Sequence, residues 1–372
     1  WIWRPSMSKA AELAALIGGQ KALGNKNLII NGAATVHQRG NQTASNGSAV
    51  YFVDRWNMYH NSGALAANLQ QSTVVPSGQG FNNSILVDCT TVDSSVGAAE
   101  VALLRQIIEG QNLQRLAYGT SGAKSLTISF WVRSTKTGIY VVDIYHADAT
   151  ARTQSHQYTI NQADTWEYKT LTFSGDTSIA TDNDNAATFY VQWVLMSGTD
   201  HTSGSLATTW QNQTDANRFV GQVNFFDSTS NNFYLTGVQM EIGDAATAFE
   251  HEDFATTLAK CQRYFSIREN NHASSSQYYS MLQAYNTTSV FGFISNYPAT
   301  MRSTPTVSQS GEFGAYKKDS GNASMPTTIG NLVGTSYGWR SDGWASGSNL
   351  VAGDASVMFS NAGAKLTADA EL

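Results

Sequence analysis

Short segments in which apolar and polar residues alternate follow one another along most of the chain. In SLTISFWVR, every second residue from Leu126 to Val132 is apolar, and Trp131 is one of the residues between them. A period of two places alternate side chains on opposite faces of a strand. Gly-, Asn-, Asp- and Ser-rich turns separate further segments of this kind: NLIIN, SAVYFVDRW, IYVVDIYHA, WEYKTLTF, ATFYVQWVLM and NFYLTGVQMEIG. The pattern predicts an all-β sandwich or barrel.

Two of these predicted strands carry further detail. In NFYLTGVQMEIG, Gly237 breaks the alternation between Leu235 and Val238, which predicts a β-bulge. In ATFYVQWVLM, the alternation leaves open whether the face of Tyr190 and Gln192 or the opposite face packs in the core.

Two segments have helical spacing instead. Residues 7–19 predict a short helix that Ser8 caps, that has an apolar stripe between Ala10 and Ile17, and that ends at Gly18-Gly19. A helix this short is marginal alone, so we expect it to pack against the domain or against a larger assembly. The second, a linking helix near 254–267, has these apolar residues at helical spacing: Phe254, Leu258, Cys261 and Phe265.

The change of pattern near Phe249 predicts the domain organisation. We expect an N-terminal segment with its short helix over 1–25, a first β domain over 26–252, and the linking helix with a second, smaller β-rich domain over 253–372. Residues 1–6 precede Met7, which we predict to be the natural start.

Composition narrows the function classes. Charged residues make up 13% of the chain, about half the share in an average soluble domain, so the surface is largely neutral and polar. The net charge of -6 and the lack of a basic block argue against nucleic-acid binding. No stretch approaches ~18 apolar residues, so no membrane span is expected. Cys89 and Cys261 stand in unlike contexts, which predicts two free, buried thiols.

An ordered series of motifs resembles proteins of marine and other tailed bacteriophages. It begins with NLIINGAATVHQRG and VDRW, and it covers roughly residues 25–372. The later motifs are QIIEGQNLQRL, SLTISFWVRSTKTG, INQADTWEYKTLTF, DNDNAATFYVQW, NFYLTGVQMEIGDAATAFEH, LAKCQRYF, YPATMRSTPTV and TADAEL.

The resemblance implies a phage tail fibre or related virion fibre protein, whose first domain is an antiparallel jelly-roll sandwich like that of carbohydrate-binding modules. It also implies that residues 102–109 form a strand, although their propensity is helical. Such a protein would bind host-surface glycans or neighbouring virion proteins, and it would need no signal peptide because virions assemble in the host cytoplasm. The alternative is a capsid decoration or connector protein without a ligand.

A third hypothesis, a polysaccharide depolymerase, requires two carboxylates that face each other across the sugar bond. The chain has no recognisable nucleophile–base motif, so we predict that it is not an enzyme. The densest cluster of carboxylates lies near the predicted domain junction and consists of Glu241, Glu250, Glu252 and Asp253. We expect these carboxylates to interact with Arg263 or Arg268.

No cofactor is expected apart from a possible structural calcium ion. Carbohydrate modules often have an acidic residue after the opening Asn-Gly to hold calcium, whereas alanines 33 and 34 follow Asn31-Gly32 here. Asp182 and Asp184 are weak calcium candidates, because EF-hand spacing and a terminal Glu are missing. An Asx-turn loop is the alternative.

Aromatic rings stack on sugars and polar side chains bond their hydroxyls, so exposed aromatic residues are the ligand candidates. Trp56 and Trp166 are predicted to lie in the core. We predict that recognition lies in loops of the second domain that contain Tyr337, Trp339, Arg340, Asp342 and Trp344. Trp210, in a loop of the first domain, is the second predicted location. The alternative is that Trp339 and Trp344 fill a core or an oligomer seam.

The chain is predicted to form a homo-oligomer, most simply a trimer, as the resemblance to fibre proteins implies. Obligate interfaces of this kind are large and do not dissociate readily. Light scattering at micromolar concentration should therefore give the mass of a trimer, and a clean monomer would contradict the prediction.

Overall fold

The computed structural model describes residues 26–45, 47, 49–271, 277–284, 289–316, 332–345, 352–353 and 355–372. The predicted helix over 7–19 and the predicted start at Met7 lie outside these residues.

The first thirteen strands of the described chain form two antiparallel sheets. In chain order they are β1 (Gln42–Ser45), β2 (Ala49–Tyr51), β3 (Asn57–His60), β4 (Ala66–Ser72), β5 (Ser84–Thr91), β6 (Val101–Glu109), β7 (Leu126–Ser134), β8 (Gly138–His146), β9 (Arg152–Ile160), β10 (Glu167–Phe173), β11 (Ala187–Ser197), β12 (Gln211–Asn212) and β13 (Asn232–Ile242). The front sheet has the order β1-β4-β5-β13-β7-β10, and the back sheet has the order β12-β9-β8-β11-β6-β3-β2. The architecture is the expected antiparallel jelly-roll sandwich.

One hydrophobic core lies between the two sheets. The predicted alternation is confirmed on β7, where every second side chain is fully buried in the core: Leu126, Ile128, Phe130 and Val132. On β11, Phe189 and Trp193 point into the core, so Tyr190 and Gln192 face away from it. The sequence left this choice open because both faces of the strand are partly apolar.

Two further expectations about strands are confirmed. Residues predicted as extended against their helical propensity form β6, which pairs with β11 on one side and β3 on the other. The pairing of β13 with β7 shifts register between Thr236 and Gln239, as the predicted bulge at Gly237 requires.

The two tryptophans predicted to be core residues differ. Trp56 is fully buried, and its ring centroid lies 5.4 Å from that of Trp193. The prediction is wrong for Trp166, which is half-buried and whose ring centroid lies 6.2 Å from that of Tyr234. Trp166 precedes β10 at the edge of the front sheet, where one side of the ring has no strand to pack against.

The helices are short. Helix α1 (Thr199–Thr202) lies in the long connection between β11 and β12, and helix α2 (Phe254–Gln262) is the predicted linking helix. Asp253 caps α2 by accepting a hydrogen bond from the Thr256 amide at 2.9 Å. The linking helix ends earlier than the predicted 267, because the chain is already a strand from Phe265 onward. No helix of the described residues is long and apolar enough to cross a membrane.

The second, smaller unit is also built of antiparallel sheets. Its strands are β14 (Phe265–Glu269), β15 (Gln277–Ala284), β16 (Ser289–Asn296), β17 (Thr306–Ser310), β18 (Phe313–Tyr316), β19 (Leu332–Gly334), β20 (Gly338–Ala345), β21 (Ala355–Ser360) and β22 (Lys365–Asp369). In the described residues they form a sheet of the order β14-β22-β17 and another of the order β18-β21-β15-β16-β20-β19. Trp339 and Phe313 belong to the separate core of this unit.

Arg55 joins the C-terminal residues to the sandwich. Its side chain is 1% exposed and forms an ion pair with Glu371, whose side chain is 4% exposed. The guanidinium also donates to the carbonyl of Ile107 and lies 3.4 Å from the ring centroid of Tyr264. A buried cation is unfavourable without such partners, so the two units share this site.

The neighbouring QRG motif strengthens the same junction. Arg39 pairs with Glu371 and lies 3.6 Å from the ring centroid of Phe265. The Gln38 amide group donates to the Asp54 carboxylate at 2.6 Å and to the Phe265 carbonyl at 3.1 Å. Residues of the sandwich thus bind both the first strand of the second unit and its C-terminal end.

Two more arginines of the second unit bind the sandwich from the other direction. Arg302 donates to the carbonyls of Asn185 at 2.7 Å and of Ala370 at 2.8 Å. Arg263 pairs with the buried carboxylate of Glu109 at 2.8 Å. The junction is therefore polar and charged on both sides.

The two cysteines are free and buried, as predicted. Burial raises the pKa of the Cys89 thiol to about 11, so this thiol stays protonated at neutral pH.

Glu371→Ala should destabilise the protein, because it leaves the Arg55 guanidinium buried without its carboxylate. Removing one partner of a buried pair typically costs about 3–5 kcal/mol. The control is Glu269→Ala, which breaks the exposed Glu269–Lys365 pair and should cost ~1 kcal/mol or less. Urea unfolding measures both, and equal losses for the two variants would contradict a special role of Arg55.

Candidate functional site

The segment predicted to be a recognition loop is largely a strand. Residues 338–345 form β20 in the interior of a sheet, with β16 and β19 on its two sides. Trp339 is 1% exposed and its ring centroid lies 4.4 Å from that of Tyr297. The prediction that it is exposed is therefore wrong, and the alternative that it fills a core is confirmed. Trp339 is buried whereas its neighbour Arg340 is exposed, a difference that the Gly- and Ser-rich sequence concealed.

The other predicted residues of this segment have different positions. Tyr337 is 67% exposed, and Arg340 is exposed as well. Asp342 and Trp344 lie on β20, but their side chains are outside the described part of the structure. The predicted role of this segment in binding stays a prediction.

Trp210, the second predicted location, is only partly exposed. It packs against the sandwich core, with its ring centroid 5.8 Å from that of Tyr118, and its indole N–H donates to the Ser174 carbonyl at 2.6 Å. The expectation of an exposed loop aromatic is therefore wrong, because the loop folds back onto the end of the sandwich.

A depolymerase would require two facing carboxylates, and four carboxylates lie near the domain junction. Glu241 is nearly buried and accepts hydrogen bonds from the Thr247 amide at 2.8 Å and hydroxyl at 2.7 Å. Glu250 accepts a hydrogen bond from the Asn27 amide at 2.9 Å. These two side chains hold the chain segment that follows β13 against the start of the sandwich.

The remaining two carboxylates lie directly before helix α2 and bind its residues. Glu252 pairs with Lys260, and Asp253 caps the helix. Hydrogen bonds from Thr256 lower the pKa of Asp253. The expected partners were Arg263 and Arg268, but Arg263 instead binds Glu109.

The weak calcium candidates lie in an exposed loop. Asp184 accepts a hydrogen bond from the Ala186 amide at 3.0 Å, which is the Asx-turn arrangement, and the amide of Asp182 donates to Asp148 at 2.8 Å. Within the described residues, no group of three His, Cys, Asp or Glu side chains is placed to hold a metal ion.

A groove on the outer face of the front sheet combines aromatic and polar side chains. Trp131 on β7 and Tyr168 on β10 lie directly opposite each other in register, and their ring centroids are 5.3 Å apart. Tyr168 is 46% exposed. The groove beside this pair has a volume of about 500 Å³ and includes Gln79, Ser129 and His251.

The bulge of β13 shapes the other wall of this groove. Gly237 has a φ of +60°, and a Cβ at this position would lie 2.6 Å from the ring of Phe81. The ring centroids of Phe249 and His251 lie 5.1 Å and 5.3 Å from that of Phe81. The absence of a side chain at Gly237 thus lets this aromatic cluster pack closely against the sheet.

We call this groove the front groove. Its lining residues are Gln79, Phe81, Ser129, Trp131, Tyr168, Gly237, Thr247, Ala248, Phe249 and His251. Alternation in the sequence indicated that Trp131 faces away from the core. The partner ring of Tyr168 could not be predicted, because the pairing of β7 with β10 is set by tertiary structure.

The outer face of the back sheet carries a second group of aromatic and charged side chains. Asn57, Arg105, Gln192 and Asp143 follow one another in register across β3, β6, β11 and β8. Tyr190 and Tyr145 form the next row, with ring centroids 5.6 Å apart.

The connection between β12 and β13 contributes Arg218 to this face. Arg218 donates to the Asp143 carboxylate at 2.8 Å and lies 5.1 Å from the ring centroid of Tyr145. Asp143 also accepts hydrogen bonds from Ser155 at 2.8 Å and Gln192 at 3.0 Å. We name these residues the back face: Asn57, Tyr59, Arg105, Asp143, Tyr145, Tyr190, Gln192 and Arg218.

A scan against protein-family models finds no match, and a search of curated protein sequences finds none either. Among solved structures, the chain is similar to the enzymatically active domain of bacteriophage CBA120 tailspike protein 4, with 11% identity and a TM-score of 0.30, over 58% of this chain and 21% of that one. It is also similar to the family 11 carbohydrate-binding module of a cellulosomal cellulase of Clostridium thermocellum, with 13% identity and a TM-score of 0.26, over 57% and 98% of the two chains. A xylan-binding domain from Paenibacillus barcinonensis matches with 11% identity and a TM-score of 0.28, over 59% and 96%.

Gly237→Ala should destabilise the protein and displace Phe81, because the new methyl group meets the Phe81 ring and the backbone is in the left-handed region. Overpacking of this kind costs about 1–3 kcal/mol. Gly63→Ala is the control, since its Cβ would meet no atom within 4 Å, and surface changes of this kind stay within ~0.5 kcal/mol. Thermal unfolding followed by circular dichroism measures both, and an unchanged melting temperature for Gly237→Ala would contradict the account of the bulge.

Proposed function

We propose that the protein is a glycan-binding structural component of a tailed-phage virion, a tail fibre or related appendage, and that the front groove is its glycan site. The observation that carries the proposal is the cross-strand pair of half-buried Trp131 and exposed Tyr168 beside a groove of about 500 Å³. The assignment to a virion, with assembly in the host cytoplasm, rests on the phage-like series of motifs.

The front groove has the two kinds of group that sugar recognition needs. The ring of Tyr168 offers an accessible apolar surface beside Trp131, and pyranose rings have apolar faces that pack against such surfaces. Gln79, Ser129 and His251 offer donors and acceptors for hydroxyl groups. The volume of the groove, about 500 Å³, suits a few sugar units of a polysaccharide.

We propose binding without cleavage. The four carboxylates near the junction cap a helix, pair with Lys260 or hold backbone amides, as described above, so each has a structural use in the fold. A hydrolase would need two carboxyl groups facing one bound sugar.

A single shallow site of this kind binds weakly, and several copies acting together would supply useful affinity. The proposed trimer meets that need by presenting three front grooves on one appendage. Neighbouring virion proteins remain the other proposed partners, and a connector without a ligand is the alternative function.

The double variant Trp131→Ala/Tyr168→Ala should weaken glycan binding by about tenfold or more, which corresponds to ~1.4 kcal/mol. Full-length protein is screened on an array of bacterial capsular polysaccharides and O-antigens, and the best ligand is then titrated by calorimetry. Tyr168→Ala alone should give a smaller loss, and its exposed position makes it safe for folding.

Tyr337→Ala and Tyr278→Ala serve as matched controls, because both tyrosines are more than 60% exposed and lie in the second unit. Loss of binding in Tyr337→Ala with full binding in the double variant would move the site to the second unit. Binding to no polysaccharide on the array would favour the connector without a ligand.

A further inference from the structure

Arg105 on the back face is a cation without a carboxylate partner among the described residues. Its Nε donates a hydrogen bond to the side-chain oxygen of Asn57 at 2.9 Å. Within the described residues, its two terminal nitrogens make no hydrogen bond or ion pair. The guanidinium carbon lies 4.4 Å from the ring centroid of Tyr59 and 5.4 Å from that of Tyr190.

Two other arginines of the sandwich, in contrast to Arg105, each have a carboxylate partner. Arg218 pairs with Asp143 at 2.8 Å, and Arg152 pairs with Asp176 at 2.7 Å. Arg105 is half-buried, and this burial lowers its pKa. The nearby Arg218 acts in the same direction, so the site as it stands is electropositive within a chain of net charge -6.

The surroundings of Arg105 orient it for a planar anion. Asn57 is fully buried and fixes the Nε side of the guanidinium, which leaves the terminal nitrogens for a ligand. A carboxylate can accept two parallel hydrogen bonds from an arginine fork, whereas a hydroxyl cannot. The rings of Tyr59 and Tyr190 lie beside the guanidinium, where the ring of a sugar can pack.

We propose that the back face binds the carboxylate-bearing sugar residue of an acidic polysaccharide, with Arg105 holding the carboxylate and Tyr59 or Tyr190 contacting the sugar ring. This site is separate from the front groove, because the two lie on opposite sheets of the sandwich. Neutral sugar units of the same polysaccharide would not need Arg105.

Calorimetry with the full-length protein tests the proposal with a pair of matched probes. The first probe is a tetragalacturonate, and the second is its carboxyl-reduced neutral form. The wild type should bind the acidic probe at least about tenfold more tightly than the reduced one, and high salt should weaken only the acidic interaction. A sialylated oligosaccharide as a third probe distinguishes a hexuronate from a nonulosonate as the source of the carboxylate.

Arg105→Gln should lose the preference for the acidic probe, and Arg105→Lys should keep only part of it because the fork is gone. Melting temperatures check that both variants fold, and Tyr278→Ala, an exposed change in the second unit, should bind as the wild type does. Trp131→Ala/Tyr168→Ala should leave this preference unchanged.

Three outcomes would overturn the proposal: equal affinity for the acidic and reduced probes, no binding of any acidic probe, or an unchanged preference in Arg105→Gln. Neutral polysaccharide binding that depends on Trp131 would survive each of these outcomes, so failure of the back face is distinguishable from failure of the front groove.

Discussion

The buried ion pair between Arg55 and Glu371 is the contact on which the rest of this structure depends. Arg55 has a φ of +72°, which turns the chain between Asp54 and Trp56. The side chains of these three consecutive residues therefore contact three different parts of the structure. Asp54 holds the Gln38 loop, Arg55 reaches Glu371, and Trp56 enters the sandwich core. One tight turn therefore ties the opening loop, the core and the C-terminal end of the chain together.

Several of the motifs in the sequence meet at this junction. QRG supplies Arg39, VDRW supplies Arg55, LAKCQRYF supplies Arg263 and Tyr264, and TADAEL supplies Glu371. Their pattern in the sequence thus reflects how the two units are joined. The front groove draws on the same series of motifs, which supply Trp131, Tyr168 and Gly237, whereas Arg105 of the back face lies outside them. The motifs therefore indicate an architecture and do not single out a ligand.

The period-two pattern predicted the strands and the buried face of β7, because burial on one side of a sheet imposes alternation locally. It even separated Trp131 from the core. It could not pair Trp131 with Tyr168, since these residues come together only when β10 joins the edge of the sheet. Trp339 was misjudged for the same kind of reason, because its burial depends on the neighbours β16 and β19, and a Gly-rich sequence around an aromatic residue resembles a loop. Arg105 gave no signal, because the lack of a partner is visible only in three dimensions.

The central claim is that the junction builds the architecture and that the faces of the sandwich recognise the ligand. Hydrogen exchange of the full-length protein, with and without a bound surface polysaccharide, tests it most directly. The account predicts slower exchange on binding in β7 and β10, around the front groove, with the strands of the second unit unchanged. Slower exchange confined to β19 and β20 would contradict it and would place recognition in the C-terminal unit.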